Sequence, residues 1–366
     1  MKYAKMTIAF VLCLCLCGCS VFSEGSYISI ESHPPQSTAG VVQTVTVSNY
    51  DQLYRALVGM VKDGVTQQII YVDGYDKQAL EEDKGRVSAD LRSTHPIAAY
   101  AVEHITCTLG TSGGTDALSV EIVYLHDRSE IRKIVNVSNN SAAAGAIAEA
   151  LKNCDTGIVL QIAAYEEMDF EQLIEDYAMN YPEFVMETPS VSVNLYPEEG
   201  AARVAELKFT YQTSRDILKS MQEQVSPVFA SAVLYVSGDG SEHVKYSQLY
   251  SFLMERYEYD LATSQTPTYS LLRQGVGDVR AFAMVYAAMC RQAGLSCMVV
   301  SGTRNGESWY WNIVLDDGVY YHVDLLRCSQ ENAFTERSDE DMDGYVWAVD
   351  FYPACGISED EKIIEK

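Results

Sequence analysis

Residues 275–297 read GVGDVRAFAMVYAAMCRQAGLSC, and this stretch decides the fold of the C-terminal third of the chain. Gly275 and Gly277 predict a tight turn, and Asp278 stands where a carboxylate can cap a helix. An apolar stripe then follows at helical spacing, through Phe282, Ala283, Tyr286, Ala287 and Cys290. A nucleophile at the first position of such a helix would feel the positive end of the helix dipole. That position is occupied by Val279.

Four sequence blocks of this region resemble the transglutaminase-like superfamily, which has a papain-like fold. GDVRAFA (277–283) is similar to the family's G-x-C-R-x-[YF]-A, and MVVSGT (298–303) is similar to the strand that follows. WYWNIV (309–314) is similar to H-x-W-N-x-V, and YYHVD (320–324) to W-x-x-V-D with tyrosine in place of tryptophan. The resemblance covers residues 205–355 approximately. It implies an α+β, papain-like C-terminal domain.

The family's reaction uses a cysteine at the helix start, a histidine on a neighbouring strand and an aspartate on the next strand. On the resemblance, these positions are Val279, Trp309 and Asp324. Valine has no ionisable group, and an indole donates one hydrogen bond but cannot act as a base. Because two of the three groups are replaced, we expect no catalytic residue and predict a pseudoenzyme.

The same blocks line a groove in the family, and the candidate groove residues here are Asp278, Trp309, Trp311 and His322. Trp309 and Trp311 are two residues apart and would share one face of a strand. Two such rings could stack on a sugar or hold an apolar side chain. The competing interpretation is that Trp309 fills the vacant site and restores core packing. His322 and Asp324 would also share a face and could form an imidazole–carboxylate contact.

The alternative to a pseudoenzyme is a cysteine peptidase or transglutaminase with a relocated nucleophile. Cys290 is on the same helical face as Val279, but ~16 Å further along the helix. Its place in the apolar stripe makes a core cysteine the preferred interpretation. The leading prediction is therefore a non-catalytic protein that binds a peptide, a protein or cell-wall glycan, or acts as an envelope scaffold.

The N-terminus resembles the signal peptide of a bacterial lipoprotein. Lys2 and Lys5 precede an apolar run of roughly 11 residues, which is too short to span a bilayer, since that takes about 20. Leu16–Cys19 is similar to a lipobox, whose last cysteine carries the lipid. The resemblance implies export and anchoring through Cys19 to the outer face of the bacterial cell membrane. The competing interpretation is an ordinary secretory signal.

The rest of the chain divides by composition and by internal similarity. Residues 1–19 are the signal, and residues 20–40, rich in Ser, Pro and Gly, predict a tether. Residues 41–132 and 133–212 predict two tandem α/β repeat units, because similar features recur at an offset of about 90 residues. Chance similarity between two α/β segments is the competing explanation. The transglutaminase-like domain is placed at 213–356, followed by an acidic tail at 357–366.

Charge and cysteine content exclude several classes of partner. The 366 residues include 26 Lys plus Arg and 51 Asp plus Glu, giving a formal net charge of −25. Such a surface repels nucleic acid, so we expect no nucleic-acid partner, and no cofactor is implied. No Cys/His cluster of the mature chain has zinc spacing, so no metal is predicted. Export permits disulfides, with Cys328–Cys355 as one candidate. The pairing stays open among Cys107, Cys154, Cys290, Cys297, Cys328 and Cys355.

Overall fold

The computed structural model describes residues 44–236 and 238–356. The predicted signal, tether, lipidated Cys19 and acidic tail lie outside these residues. Within them, three four-stranded sheets and one two-stranded pair combine with helices in an α+β arrangement. None of the helices in the described part of the chain has both the length and the apolar character needed to cross a bilayer.

The first sheet is built by residues 45–124. Its elements are β1 (Val45–Val47), α1 (Tyr50–Asp63), β2 (Gln67–Val72), α2 (Lys77–Thr94), α3 (Pro96–Ala101), β3 (Val102–Ser112) and β4 (Thr115–Tyr124). The strand order is β1-β2-β4-β3, with β1 parallel to β2 and the other pairs antiparallel. α1 begins where the Asn49 side chain accepts from the Gln52 amide, and it ends at Gly64 in the left-handed conformation.

The second sheet repeats this strand order. After α4 (Arg128–Ile131), its elements are β5 (Val135–Asn139), α5 (Asn140–Lys152), β6 (Gly157–Ala164), α6 (Phe170–Asn180), β7 (Ser190–Tyr196) and β8 (Arg203–Thr210). The order is β5-β6-β8-β7, and again only the first pair is parallel. Asn139 caps α5 through the Ala142 amide, as Asn49 caps α1. The tandem duplication itself stays a prediction.

The C-terminal region surrounds α10 (Val279–Gln292). Before it lie α7 (Arg215–Tyr235), α8 (Glu242–Met254), β9 (Glu258–Tyr259), α9 (Pro267–Tyr269), a π-helical turn (Ser270–Gln274) and β10 (Val276–Gly277). After it come β11 (Cys297–Arg304), β12 (Glu307–Asp316), β13 (Val319–Val323), α11 (Leu325–Glu331) and β14 (Tyr345–Trp347), with 3₁₀ turns at Asp339–Asp341 and Val349–Phe351. The sheet order is β13-β12-β11-β14, all antiparallel.

α7 continues through a proline that would be expected to end it. Pro227 lacks the amide that would close a helical hydrogen bond, at a cost of about 3 kcal/mol. The helix nevertheless extends to Tyr235. Buried apolar residues lie on both sides of the proline, with Leu218 and Val225 before it and Phe229 after it. Packing of both halves against the core therefore outweighs the local cost.

α10 is the centre of the C-terminal core and also joins it to the second sheet unit. Residues 281–290 of this helix are all buried. On one side, the Asn312 amide of β12 donates to the Ala283 carbonyl at 2.9 Å. On the other, the Arg291 guanidinium donates to both carboxylate oxygens of Glu183, at 2.8 and 3.0 Å. Both bonds come from Nη2, and this charge-assisted contact ties the helix to the segment after α6.

The candidate disulfide between Cys328 and Cys355 is not formed. Cys328 is a free, buried thiol whose sulfur accepts from the Thr335 amide at 3.4 Å. Burial raises the pKa of this thiol above its ordinary value. The sulfur is held instead inside the turn that follows α11, and the Arg337 guanidinium lies 3.7 Å from it.

Candidate functional site

The buried carboxylate of Asp324 is at the centre of the candidate site. Asp324 follows β13 and caps α11, because its Oδ1 accepts from the amides of Leu326 and Arg327 at 3.0 and 3.1 Å. Its Oδ2 accepts from the Trp309 indole N–H at 2.8 Å and from the Tyr345 hydroxyl at 2.6 Å. The residue is only 1% exposed. Every strong acceptor direction of this carboxylate is therefore in use.

Trp309 is held between Asp324 and a cation. The guanidinium of Arg304 lies over the indole ring, 5.1 Å from its centroid. Nη1 of the same guanidinium is 3.4 Å from Asp324 Oδ2, so the ion pair encloses the indole edge. Trp309 is partly buried and packs against the small cluster around Trp311. The sequence resemblance aligned Trp309 with a histidine, and the structure gives it the aspartate contact that such a histidine would make.

Val279 begins α10 and faces the same site. The Asp278 side chain is the N-cap, accepting from the Ala281 amide at 2.8 Å. This bond engages the Asp278 carboxylate in helix capping. Val279 and Asp324 border one cavity, and Asp324 contacts Trp309 directly. Of the three positions aligned with a triad, Asp324 thus contacts Trp309 and shares a cavity with Val279.

The cavity at this place is small, with a volume of about 80 Å³. Of the four candidate groove residues, Trp311 borders it, while Asp278, Trp309 and His322 do not. Most of the residues that line the cavity were not among the candidates from the sequence. The alternation of Tyr257 and Tyr259 in RYEYD, which gives β9, was the available signal. The walls of the cavity are formed by Met254, Tyr257, Tyr259, Val279, Phe282, Ala283, Tyr310, Trp311, Asn312, Asp324, Leu325, Leu326 and Ser329.

Trp311 and His322 form a buried pair. Trp311 is therefore not part of the exposed stacking surface that one interpretation expected from Trp309 and Trp311. Trp311 is 1% exposed, and its indole N–H donates to His322 Nδ1 at 2.9 Å. An indole nitrogen can only donate, so Nδ1 carries no proton. Nε2 must then carry the proton that is shared with Asp339 Oδ1 at 2.8 Å. Burial lowers the pKa of His322, which agrees with a neutral ring.

The expected contact between His322 and Asp324 is therefore wrong, and Asp339 takes that role. The chain leaves β13 at Asp324 to begin α11, so the Asp324 carboxylate turns toward the helix amides and Trp309. His322 stays in β13, where its backbone forms an isolated antiparallel β-bridge with Arg337. The alternation of strand side chains, on which the expectation depended, ends at the helix cap.

Four of the described cysteines give little support to a relocated nucleophile. Cys290 is fully buried, and burial raises the pKa of its thiol well above the ordinary value. Burial also raises the pKa of Cys154, and that of Cys107 to about 11. Cys355 lies near His322, but both ring nitrogens of that histidine are already engaged. The imidazole has no lone pair left to accept a thiol proton.

Comparison with known protein families matches residues 231–347 to the Transglutaminase-like superfamily. The chain contains a transglutaminase-like domain. Among curated proteins, no match is found.

Three solved structures show weak overall similarity to this chain. A crystal structure of a TGase is 10% identical, with 65% of this chain and 68% of that chain covered, at a TM-score of 0.26. A candidate cysteine protease from Cytophaga hutchinsonii is 12% identical, with 43% and 70% covered and a TM-score of 0.25. A candidate protease from Parabacteroides distasonis is 10% identical, with 58% and 47% covered and a TM-score of 0.24. The chain thus spans about half the length of this last structure.

The contact of Asp324 with Trp309, and the cavity that Asp324 shares with Val279, predict that a thiol at position 279 can be activated. We expect the thiol introduced in the Val279→Cys, Trp309→His double variant to react with iodoacetamide at least about 10-fold faster near pH 7 than the thiol in Val279→Cys alone. The physical reason is that an imidazole paired with Asp324 takes the thiol proton, while the helix dipole favours the thiolate.

The matched control is Val279→Cys with Trp309 retained, since both variants carry the same thiol at the same helix start. Rates are followed by mass spectrometry of the modified peptide over a pH series. Equal rates and equal pH profiles in the two variants would contradict the convergence of positions 279, 309 and 324.

Proposed function

We propose that this protein is anchored by a lipid to the outer face of a bacterial cell membrane and that its transglutaminase-like domain binds a peptide segment of a partner without catalysing acyl transfer. The observation that carries the proposal is the 2.8 Å hydrogen bond from the Trp309 indole to Asp324. In this bond the Trp309 indole, which cannot act as a base, donates to Asp324, the one acidic group of the aligned triad.

The chemistry of the site argues against the family's reaction. Acyl transfer needs a thiolate at the helix start and a base beside it. Val279 supplies no nucleophile, and Trp309 supplies no base. The Asp324 carboxylate is already bonded to Trp309, Tyr345 and the backbone amides of α11. A domain with this arrangement retains the shape of the site but lacks the groups that form an acyl-enzyme.

The size of the cavity favours a peptide side chain over a larger ligand. Sites for small molecules usually measure about 300–1,000 Å³, whereas this cavity is about 80 Å³. Its aromatic walls, including Tyr257, Tyr259 and Phe282, suit one apolar side chain. The burial of Trp311 disfavours stacking on a sugar ring, so cell-wall glycan is the weaker ligand hypothesis. A scaffold without a ligand is the remaining alternative.

Filling the cavity tests the binding proposal. A peptide library displayed on phage is selected against the wild-type chain, and selected peptides are measured by fluorescence anisotropy. We expect them to bind Val279→Phe at least about 10-fold more weakly, because the larger ring occupies the cavity at a partly exposed helix start. Ile217→Phe is the control, since Ile217 is 52% exposed on α7 and does not border the cavity.

Two results would contradict peptide binding at this site. One is that no peptide is enriched on the wild-type chain above an empty support. The other is that selected peptides bind Val279→Phe as tightly as wild type, with both variants folded by circular dichroism.

Lipid anchoring has a separate test, because it depends on residues outside the described structure. Cells expressing the full chain are grown with an alkyne-labelled fatty acid, and label in the purified protein is measured. We expect Cys19→Ser to lose the label and to leave the membrane fraction, since the lipid is the anchor. Cys17→Ser is the matched control and should keep both. Unchanged labelling of Cys19→Ser would contradict the lipoprotein prediction.

A further inference from the structure

A second cluster of polar side chains lies away from the aligned triad, at the start of α8. His243 is the second residue of that helix, Asp316 ends β12, and Glu336 lies in the segment between α11 and β14. His243 Nδ1 is 3.1 Å from Glu336 Oε2 and 3.6 Å from Asp316 Oδ2. One atom from each of the three residues lies within 4.8 Å of the other two. Three segments distant in sequence thus meet at one point.

Local structure holds each of these side chains in place. Asp317 and Gly318, both with positive φ, form the two-residue turn between β12 and β13 and so fix where Asp316 ends its strand. The Asp317 amide also donates to Glu242 Oε2 at 3.2 Å, which ties this turn to the start of α8. The ring of Phe334 packs against the His243 imidazole, with 5.5 Å between centroids.

The electrostatics of the cluster call for a cation or a proton between its two carboxylates. The side chains of Asp316 and Glu336 are each only 13% exposed. Glu336 Oε1 is buried and has no hydrogen-bond partner among the described residues. Two carboxylates so close together and so shielded repel each other unless a cation or a proton lies between them. The His243 side chain is 49% exposed, so the cluster can be reached from solvent.

We propose that His243, Asp316 and Glu336 bind a divalent transition-metal ion of the zinc class, independently of the proposed peptide site. In a tetrahedral zinc site with bonds of 2.0–2.1 Å, neighbouring ligand atoms are ~3.3 Å apart. The two measured separations from His243 Nδ1, 3.1 and 3.6 Å, bracket that value. One imidazole with two carboxylates suits zinc, whereas magnesium and calcium take oxygen ligands. The fourth position is left for water on the solvent side.

A neighbouring cluster shows why ligand types alone do not make such a site. His322, Asp339 and Cys355 also bring donor atoms within 4.8 Å of one another. There, however, Trp311 donates to Nδ1, so the proton of the neutral ring is on Nε2, the nitrogen that faces Asp339. A metal on Nε2 would move that proton to Nδ1, directly against the indole N–H. No such donor opposes His243 Nδ1, whose two neighbours are carboxylates.

The test is zinc binding to the purified full-length chain by isothermal titration calorimetry. We expect His243→Ala to weaken the binding at least about 10-fold, because loss of an outer-shell partner alone costs 10–100-fold. Glu336→Gln is a second variant with the same expected direction. His126→Ala is the matched control, since His126 faces one glutamate, Glu130, across 3.7 Å. It should bind zinc as the wild type does.

Cobalt(II) distinguishes this site from the chain's cysteines. Ligation by nitrogen and oxygen gives d–d absorption without a thiolate-to-cobalt charge-transfer band. We expect d–d bands in the wild type that are lost in His243→Ala. No saturable zinc binding, equal affinity in wild type and in His243→Ala, or a charge-transfer band that accounts for the bound cobalt would each overturn the proposal. None of these results bears on peptide binding, which is measured separately.

Discussion

The hydrogen bond between the Trp309 indole and the Asp324 carboxylate is the interaction on which the C-terminal site depends. A buried carboxylate costs several kcal/mol unless donors surround it. Asp324 meets that need with Trp309, Tyr345 and two amides of α11, and Arg304 adds a positive charge at 3.4 Å. With a smaller apolar residue at position 309, Oδ2 of this carboxylate would lose one of its two close donors and keep the Tyr345 hydroxyl. The indole thus supplies hydrogen bonding where the family's histidine would also supply basicity.

The same bond explains why the Trp309 ring is not an open binding surface. Because Trp309 turns its N–H inward to Asp324, its ring lies beneath Arg304 and is not available as a free stacking surface. Trp311 is directed inward as well, toward His322 and the ring of Tyr345 at 5.3 Å. What stays open is the cavity beside Val279, whose walls come from α10 and α11 and from Tyr310, Trp311 and Asn312 of β12. Recognition in this domain is therefore proposed at this cavity.

The sequence predicted the frame of the C-terminal domain well, because its signals are local. The glycine turn, the Asp278 cap and the apolar stripe of α10 each follow from neighbouring residues, and the Asn49 cap and the Gly64 end of α1 are local features of the same kind. The alignment of blocks also brought Trp309 and Asp324 together correctly. Side-chain direction was less predictable. Strand alternation suggested a His322–Asp324 pair, but the helix cap at Asp324 turned that carboxylate away.

Contacts between distant segments were outside the reach of the sequence. Tyr257 and Tyr259 alternate in the sequence, but no local pattern indicates that β9 pairs with β10 and brings them to the cavity. The cluster of His243, Asp316 and Glu336 likewise has no short spacing that would mark a metal site. Pro227 is a strong local signal for the end of a helix, but α7 continues through it. Burial of apolar residues on both sides of the proline overrides that signal.

A double-mutant cycle between Trp309 and Asp324 tests the central claim most directly. The free energy of unfolding in urea is measured for the wild type, Trp309→Phe, Asp324→Asn and the double variant. We expect Trp309→Phe to lower the free energy of unfolding by about 1.5–3 kcal/mol in the presence of the carboxylate, and by much less in Asp324→Asn, whose amide cannot accept the indole proton in the same way. Equal costs of Trp309→Phe in the two backgrounds would mean that the indole and the carboxylate are not coupled, and would contradict the account.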